Sequence, residues 1–273
     1  MHVIPRWFAG LMLLTGMATA PVHAETFDTC TGFIDSLPAT ISTQGNWCLR
    51  KDLATAITTG DAILVTTNNV TIDCNSFKIG GLAAGPGSLA RGIRAVNRLN
   101  VTVRQCTVRG FHVGVTLFGG GHLVEDNRLE QNLYQAVYLQ GEGNIVRRNQ
   151  ALDTGGATGG TSAAAFYVQG DVIDNTIAGV YTDAPGNGTG MYAYGDGNEI
   201  SGNRIRGLVG NGVAIAAAGA AMTVRDNAIS IEGPVPNTAI SGGGAATACI
   251  GNTVVGYDVA YSSCQADIDN LDL

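Results

Sequence analysis

Apolar residues along this chain fall into two short patterns that recur many times. The first is an apolar residue, two variable residues, Asn, one variable residue and a second apolar residue. It occurs as Ile72 to Phe77 around Asn75, Val124 to Leu129 around Asn127, and Val146 to Ala151 around Asn149. Further copies place Asn175, Asn203, Asn227 and Asn252 between Val172 and Ile177, Ile200 and Ile205, Val224 and Ile229, and Cys249 and Val254. Val103 to Val108 fits with Cys106 in the Asn slot, which makes eight copies. Successive slots lie 31, 21, 22, 26, 28, 24 and 25 residues apart, so the shortest unit needs about 21 to 22 residues.

The second pattern lies upstream of the later Asn slots: Gly114 to Leu117, Ala136 to Leu139, Ala165 to Val168, Gly190 to Ala193 and Gly212 to Ile215. Its apolar residues alternate at period two, which is the signature of a half-buried strand. Two or three short strands in a unit of about 22 residues predict one coil of a parallel β-helix, whereas helical repeats need longer units and a 3.6-residue period. At the corner after the first strand, Asn is expected to take the left-handed conformation, which it tolerates better than most residues. Stacked at the ~4.8 Å strand spacing, the amides would donate and accept along the axis and be buried in register.

These patterns predict an all-β chain: a single-stranded parallel solenoid of about eight coils over residues 61–257. Residues 25–60 lack the repeat but carry Trp47, Cys48, Leu49 and Leu53, and are expected to form an N-terminal cap. Residues 258–273 are expected to cap the other end, because an open solenoid end exposes unpaired strand edges. Residues 1–24 read as an export signal. Arg6 is followed by an apolar run from Trp7 to Leu14, and Val22-His23-Ala24 suits cleavage before Glu25. That run is too short to span a bilayer, and no later segment is long and apolar enough. The chain is therefore expected in the periplasm or outside the cell, as a monomer.

With 39 Gly among 273 residues and only 14% charged side chains, the composition fits a compact β protein instead of a disordered one. A net charge of −7 argues against nucleic acid as a partner, since phosphate binding needs a basic stripe. Six cysteines, at 30, 48, 74, 106, 249 and 264, read as disulfides in an exported chain, although an even count alone leaves 15 connectivities. The expected pairs are Cys30 with Cys48 and Cys249 with Cys264, stapling the two ends. Cys74 and Cys106 either pair or fill the core as thiols. No Cys-x-x-Cys spacing points to zinc.

The runs Gly60 to Ile63, Asn69 to Asn75 and Asn100 to Phe111 resemble the exported right-handed parallel β-helix repeat proteins of the pectate-lyase-like architecture. The likeness covers roughly residues 60–257 and implies right-handed coiling. It is nearly silent on activity, because this architecture carries lyases, hydrolases, epimerases and binding proteins.

Aligning the copies gives two outward columns. One runs Arg94, Thr116, Tyr138, Tyr167, Tyr192, Ala214; the other, two residues later, runs Val96, Phe118, Gln140, Gln169, Tyr194, Ala216. Tyr rings supply a flat apolar face with a hydroxyl, and Gln supplies donor and acceptor together, which is equipment for binding sugar. Insertions at 80–90, 153–163, 179–189 and 231–238 are expected to wall this face, as loops added on one edge of a solenoid often do. The substrate-binding set is thus Arg94, Tyr138, Gln140, Tyr167, Gln169, Tyr192 and Tyr194, with a polysaccharide as partner. A third column, Asp73, Arg104, Glu125, Arg147, Ile173, Ser201 and Arg225, reads as cross-strand ion pairs without chemistry.

Catalytic signals are weaker. In the resembled architecture, lyases use a base, and many hold calcium with carboxylates; hydrolases need paired carboxylates. The columns of the binding face carry no Asp or Glu, so no metal or cofactor is assigned and calcium has no support. Asp153, Asp183 and Asp196 are the nearby carboxylates, and Arg91, Arg94, His112, His122, Tyr134 and Tyr181 the other candidates. The expectation is a protein that binds or acts on a polysaccharide, with lyase chemistry ahead of hydrolysis. The alternative is a non-catalytic surface or protein-interaction solenoid.

Overall fold

The computed structural model describes residues 29–183, 185–208, 212–243 and 246–273, leaving out the side chains of 232–236. The expected export signal over residues 1–24 lies outside the described residues. Short strands wind into a single-stranded right-handed parallel β-helix. Among the described residues every strand pair is parallel, and three ladders run along the axis. One ladder is an eleven-stranded sheet made of the strands that precede each Asn slot. Eight of its strands, from Val70–Asp73 to Ala248–Ile250, are the copies of the Asn phrase. Gly32–Ile34 and Gly45–Leu49 extend it at one end, and Ala266–Ile268 at the other. The segment expected as an N-terminal cap thus contributes strands in register with the coils, Trp47 opposite Ile72 among them.

The core is a column of inward side chains. Ile72, Val103, Val124, Val146, Val172, Ile200 and Val224 are all fully buried, as are Ile93, Val115, Val137, Phe166, Met191 and Ile215 on the facing ladder. Each coil buries about the same apolar stripe against its two neighbours, so stability accrues coil by coil.

An amide ladder runs through the corner after the eleven-stranded sheet. Asn127 Nδ2 donates to Asn149 Oδ1 at 2.9 Å, Asn149 to Asn175 at 3.1 Å, and Asn175 to Asn203 at 3.0 Å. The chain of bonds continues through Asn227 and Asn252 to Asn270, a rung outside the eight copies. The left-handed residue is the one before each Asn, not the Asn itself: Asp126, Arg148, Asp174, Gly202, Asp226 and Gly251 all have positive φ. This frees the Asn side chain to point inward, where its amide also reaches a backbone carbonyl of the preceding coil, Val124 O in the case of Asn149. Asn75 departs from the pattern. It is itself left-handed, at φ 46°, and donates to Leu49 O at 3.1 Å without joining the ladder. Its corner carries two additional residues, since Arg104 pairs with Asp73 but Thr107 with Lys78.

Three disulfides are formed, Cys30–Cys48, Cys74–Cys106 and Cys249–Cys264. The middle one, left open on sequence grounds, joins neighbouring coils beside the irregular Asn75 corner. Three such bonds fit an oxidising compartment. Among the described residues, no helix is long and apolar enough to cross a membrane.

Candidate functional site

Strand register places Arg94, Thr116, Tyr138, Tyr167 and Tyr192 in one outward row. The next member is Ala216, not Ala214, because Met191 pairs with Ile215. Alternation at period two cannot exclude such an offset, since a shift of two residues preserves which face is apolar. The second row moves with it, so Tyr194 is followed by Ala218. Thr116, expected outward, is 3% exposed, buried beneath its neighbours.

The aromatic rings make a continuous stripe. Phe118 meets Tyr138 edge-on at 4.7 Å between centroids, Tyr138 meets Tyr167 edge-on at 5.1 Å, and Tyr167 stacks on Tyr192 at 4.9 Å. Tyr194 leans on Tyr167 at 5.3 Å. These spacings are those of attractive ring pairs, so the stripe is stiff before any ligand arrives. All four tyrosines keep an exposed part. Burial, with the neighbouring tyrosines adding to it, raises the Tyr167 hydroxyl and pushes that of Tyr194 up to about 12. Both hydroxyls therefore stay protonated at neutral pH and can donate as well as accept.

Gln140 is exposed beside the stripe. Gln169 is partly committed to the fold: its Oε1 accepts the Gly141 backbone N–H at 2.9 Å, leaving the amide group to face the adjoining cavity of about 400 Å³. Gly141 sits at φ +115° with Gly119 O only 2.1 Å from where a Cβ would be, so this corner admits no side chain.

Three insertions touch one another along the other edge of the stripe. Thr158 N–H donates to Pro86 O at 3.0 Å, Gly159 N–H to Asp183 Oδ2 at 2.8 Å, and Asn187 N–H to Thr161 O at 3.1 Å. Beneath this wall His112 stacks on Tyr134 at 5.2 Å. Burial and, after it, the charge of Arg91 lower the His112 pKa, so the imidazole is neutral. Arg91 and Arg94 both reach Asp61, at 2.7 and 3.3 Å. Asp61 lies in the quoted Gly60 to Ile63 run, yet its pairing with two arginines of the next coil had no signal in spacing.

The remaining candidates are spent locally. Asp196 caps the Ala220 N–H at 2.8 Å, and Asp183 holds the wall. Asp153 lines a separate cavity of about 520 Å³ with Arg206 and Ile231. Exposed Tyr181 lies against the Gly156 position. His122 is 1% exposed and belongs to a second corner ladder, its N–H donating to Asn144 Oδ1 at 2.9 Å. The ion-pair column is real, with Arg104 on Asp73 and Arg147 on Glu125, each at 2.8 Å. Among the described residues, no three His, Cys, Asp or Glu side chains gather as metal ligands.

Residues 91–256 match the family model described as "Right handed beta helix region". The chain belongs to that family. No curated protein matches it. Among solved structures, the Dettilon tailspike protein (gp208) is similar at 16% identity and a TM-score of 0.47, over 87% of this chain and 57% of that one. The chain therefore spans little more than half the length of that structure.

Proposed function

We propose that this protein binds a polysaccharide along the stripe formed by Tyr138, Tyr167, Tyr192 and Tyr194. The observation that carries this reading is the stripe itself: four tyrosines in ring-to-ring contact on the outside of a solenoid whose core needs none of them. Such a face offers a sugar chain apolar ring surface, protonated hydroxyls, and the amides of Gln140 and Gln169 at its margin. The test is a broad glycan array with residues 25–273, followed by retardation on the sugars that score. Absence of any glycan signal favours the non-catalytic protein-interaction reading.

A second reading, elimination on an acidic polysaccharide, is favoured by His112. Its neutral imidazole beside Arg91 has the form a general base requires. In such a reaction a base removes the proton next to a uronate carboxylate, the β carbon–oxygen bond breaks, and the leaving oxygen takes a proton. The product carries a conjugated double bond, so an ultraviolet absorbance assay on the array hits separates an enzyme from a binder.

A further inference from the structure

At one end of the stripe the wall and the strands enclose a cavity of about 250 Å³ whose lining includes Leu89, Arg91, Arg94, His112, Thr116 and Tyr138. Its lining includes Arg91 and Arg94, and the carboxylate that pairs with both is Asp61. That carboxylate is 10% exposed and bonds one nitrogen of each arginine, while the arginine side chains remain 34% and 30% exposed. Among the described residues, no Asp or Glu lines the cavity itself. A guanidinium carries five N–H donors in a fixed fork, so Asp61 orients both forks and leaves most of their donors open. The local charge is one positive in excess on a chain whose net charge is −7.

Unmet hydrogen bonding concentrates here as well. Among the described residues, eight buried side-chain polar atoms have no hydrogen-bond partner, and three of them are Arg94 Nε, His112 Nδ1 and Thr116 Oγ1. Buried polar groups are normally paired, and leaving one unpaired costs stability. The three residues line one cavity, where the partly exposed guanidinium groups of Arg91 and Arg94 stand next to the side chains of Tyr138 and Leu89.

We propose that this cavity is an anion subsite, in which Arg91 and Arg94 take one carboxylate or sulfate-ester group of a sugar whose chain continues onto the tyrosine stripe. The carrier rests on the polysaccharide reading; the anion rests on the cavity alone. Asp61 is a positioning residue that holds the two forks side by side, and Tyr138 is the junction between the subsite and the stripe.

The test uses calorimetry on three matched oligosaccharides: a uronic-acid oligomer, its carboxyl-reduced neutral counterpart, and a sulfated counterpart. The parent is expected to bind at least one acidic form about tenfold more tightly than the neutral one. Arg94→Gln, which leaves Asp61 paired with Arg91, is expected to abolish that preference, with affinity for the acidic form falling about tenfold further than affinity for the neutral one. Tyr167→Ala is expected to weaken all forms equally. Equal binding of acidic and neutral oligomers by the parent, or a preference that survives Arg94→Gln, overturns the subsite. Should none of the oligomers bind, the polysaccharide reading fails, and the subsite is then judged with sodium glucuronate and sodium sulfate at constant ionic strength. Either salt is expected to move the His112 imidazole signals in the parent and not in Arg94→Gln. Unmoved signals with both salts overturn it.

Discussion

Asn149 Oδ1 receives two bonds from one neighbour, the side-chain amide of Asn127 at 2.9 Å and its backbone N–H at 3.0 Å. The Asn149 amide in turn donates to Asn175 Oδ1, Val124 O and Arg147 O. Replacing Asn149 with Ala strips partners from two buried donors of Asn127 and from acceptors on both sides. The expected loss is about 1 to 3 kcal/mol. Gln150→Ala, at an exposed position one residue away, is expected to change stability by less than about 0.5 kcal/mol. Urea midpoints of the two variants measure the difference.

Tyr167 touches three other rings of the stripe, so Tyr167→Ala is expected to act on stability as well as on binding. The aromatic pairs it loses are worth about 0.5 to 1.5 kcal/mol each, beyond lost area, and a ligand ring stacked on it a similar amount. Tyr192→Ala is expected to behave alike. Arg147→Ala, in the ion-pair column, is expected to leave glycan retention unchanged and cost under about 1 kcal/mol. Retention equal to the parent in both tyrosine variants would remove the stripe from the binding face.

His122 gives the fold an acid weakness. Burial, opposed in part by backbone bonds to Phe118 and Val101, lowers its pKa from 6.5 to about 4. The unfolded chain takes up this proton at higher pH than the folded one does. The contribution is therefore fully present above pH ~6.5 and lost as pH falls through about 4, for a total of roughly 3 kcal/mol. His122→Asn, matching the neighbouring rung Asn144, is expected to flatten the fall in stability between those limits. Chemical denaturation of parent and variant across this range supplies the measurement, and parallel curves would show that His122 does not titrate on unfolding.

The Cys74–Cys106 bond closes a loop with a sequence separation of 32. Loop closure of that length stabilises by about 3 to 4 kcal/mol in the chain-entropy view. Replacing both cysteines with Ser is expected to lower the urea midpoint accordingly. Thiol counting on the unfolded, unreduced protein is expected to find no free cysteine, since all six are bonded.

Local chemistry determined much of this protein. The recurring Asn phrase and the period-two runs set the parallel solenoid, because each coil repeats the same apolar stripe; the extra rung at Asn270 lacks that stripe, with Asp267 and Asp272 opposite Cys249 and Val254. Tertiary structure decided the rest, for reasons that lie across coils and not along the chain. Coils differ in length, so only hydrogen bonding between them shows that Tyr192 faces Ala216, two residues beyond where the alternation alone pointed. Corner geometry moved the left-handed residue from the Asn of each ladder rung to the residue before it, since the amide must turn inward to reach its neighbours, and left it on Asn75, which does not join the ladder. His112, Arg91, Arg94 and Asp61 come from three successive coils of unequal length, and the ladder register sets Arg91 opposite both Asp61 and Val113, the residue after His112. That proximity is invisible in sequence spacing, because the insertions make the coils unequal and only the bonding between strands fixes which residues stand side by side.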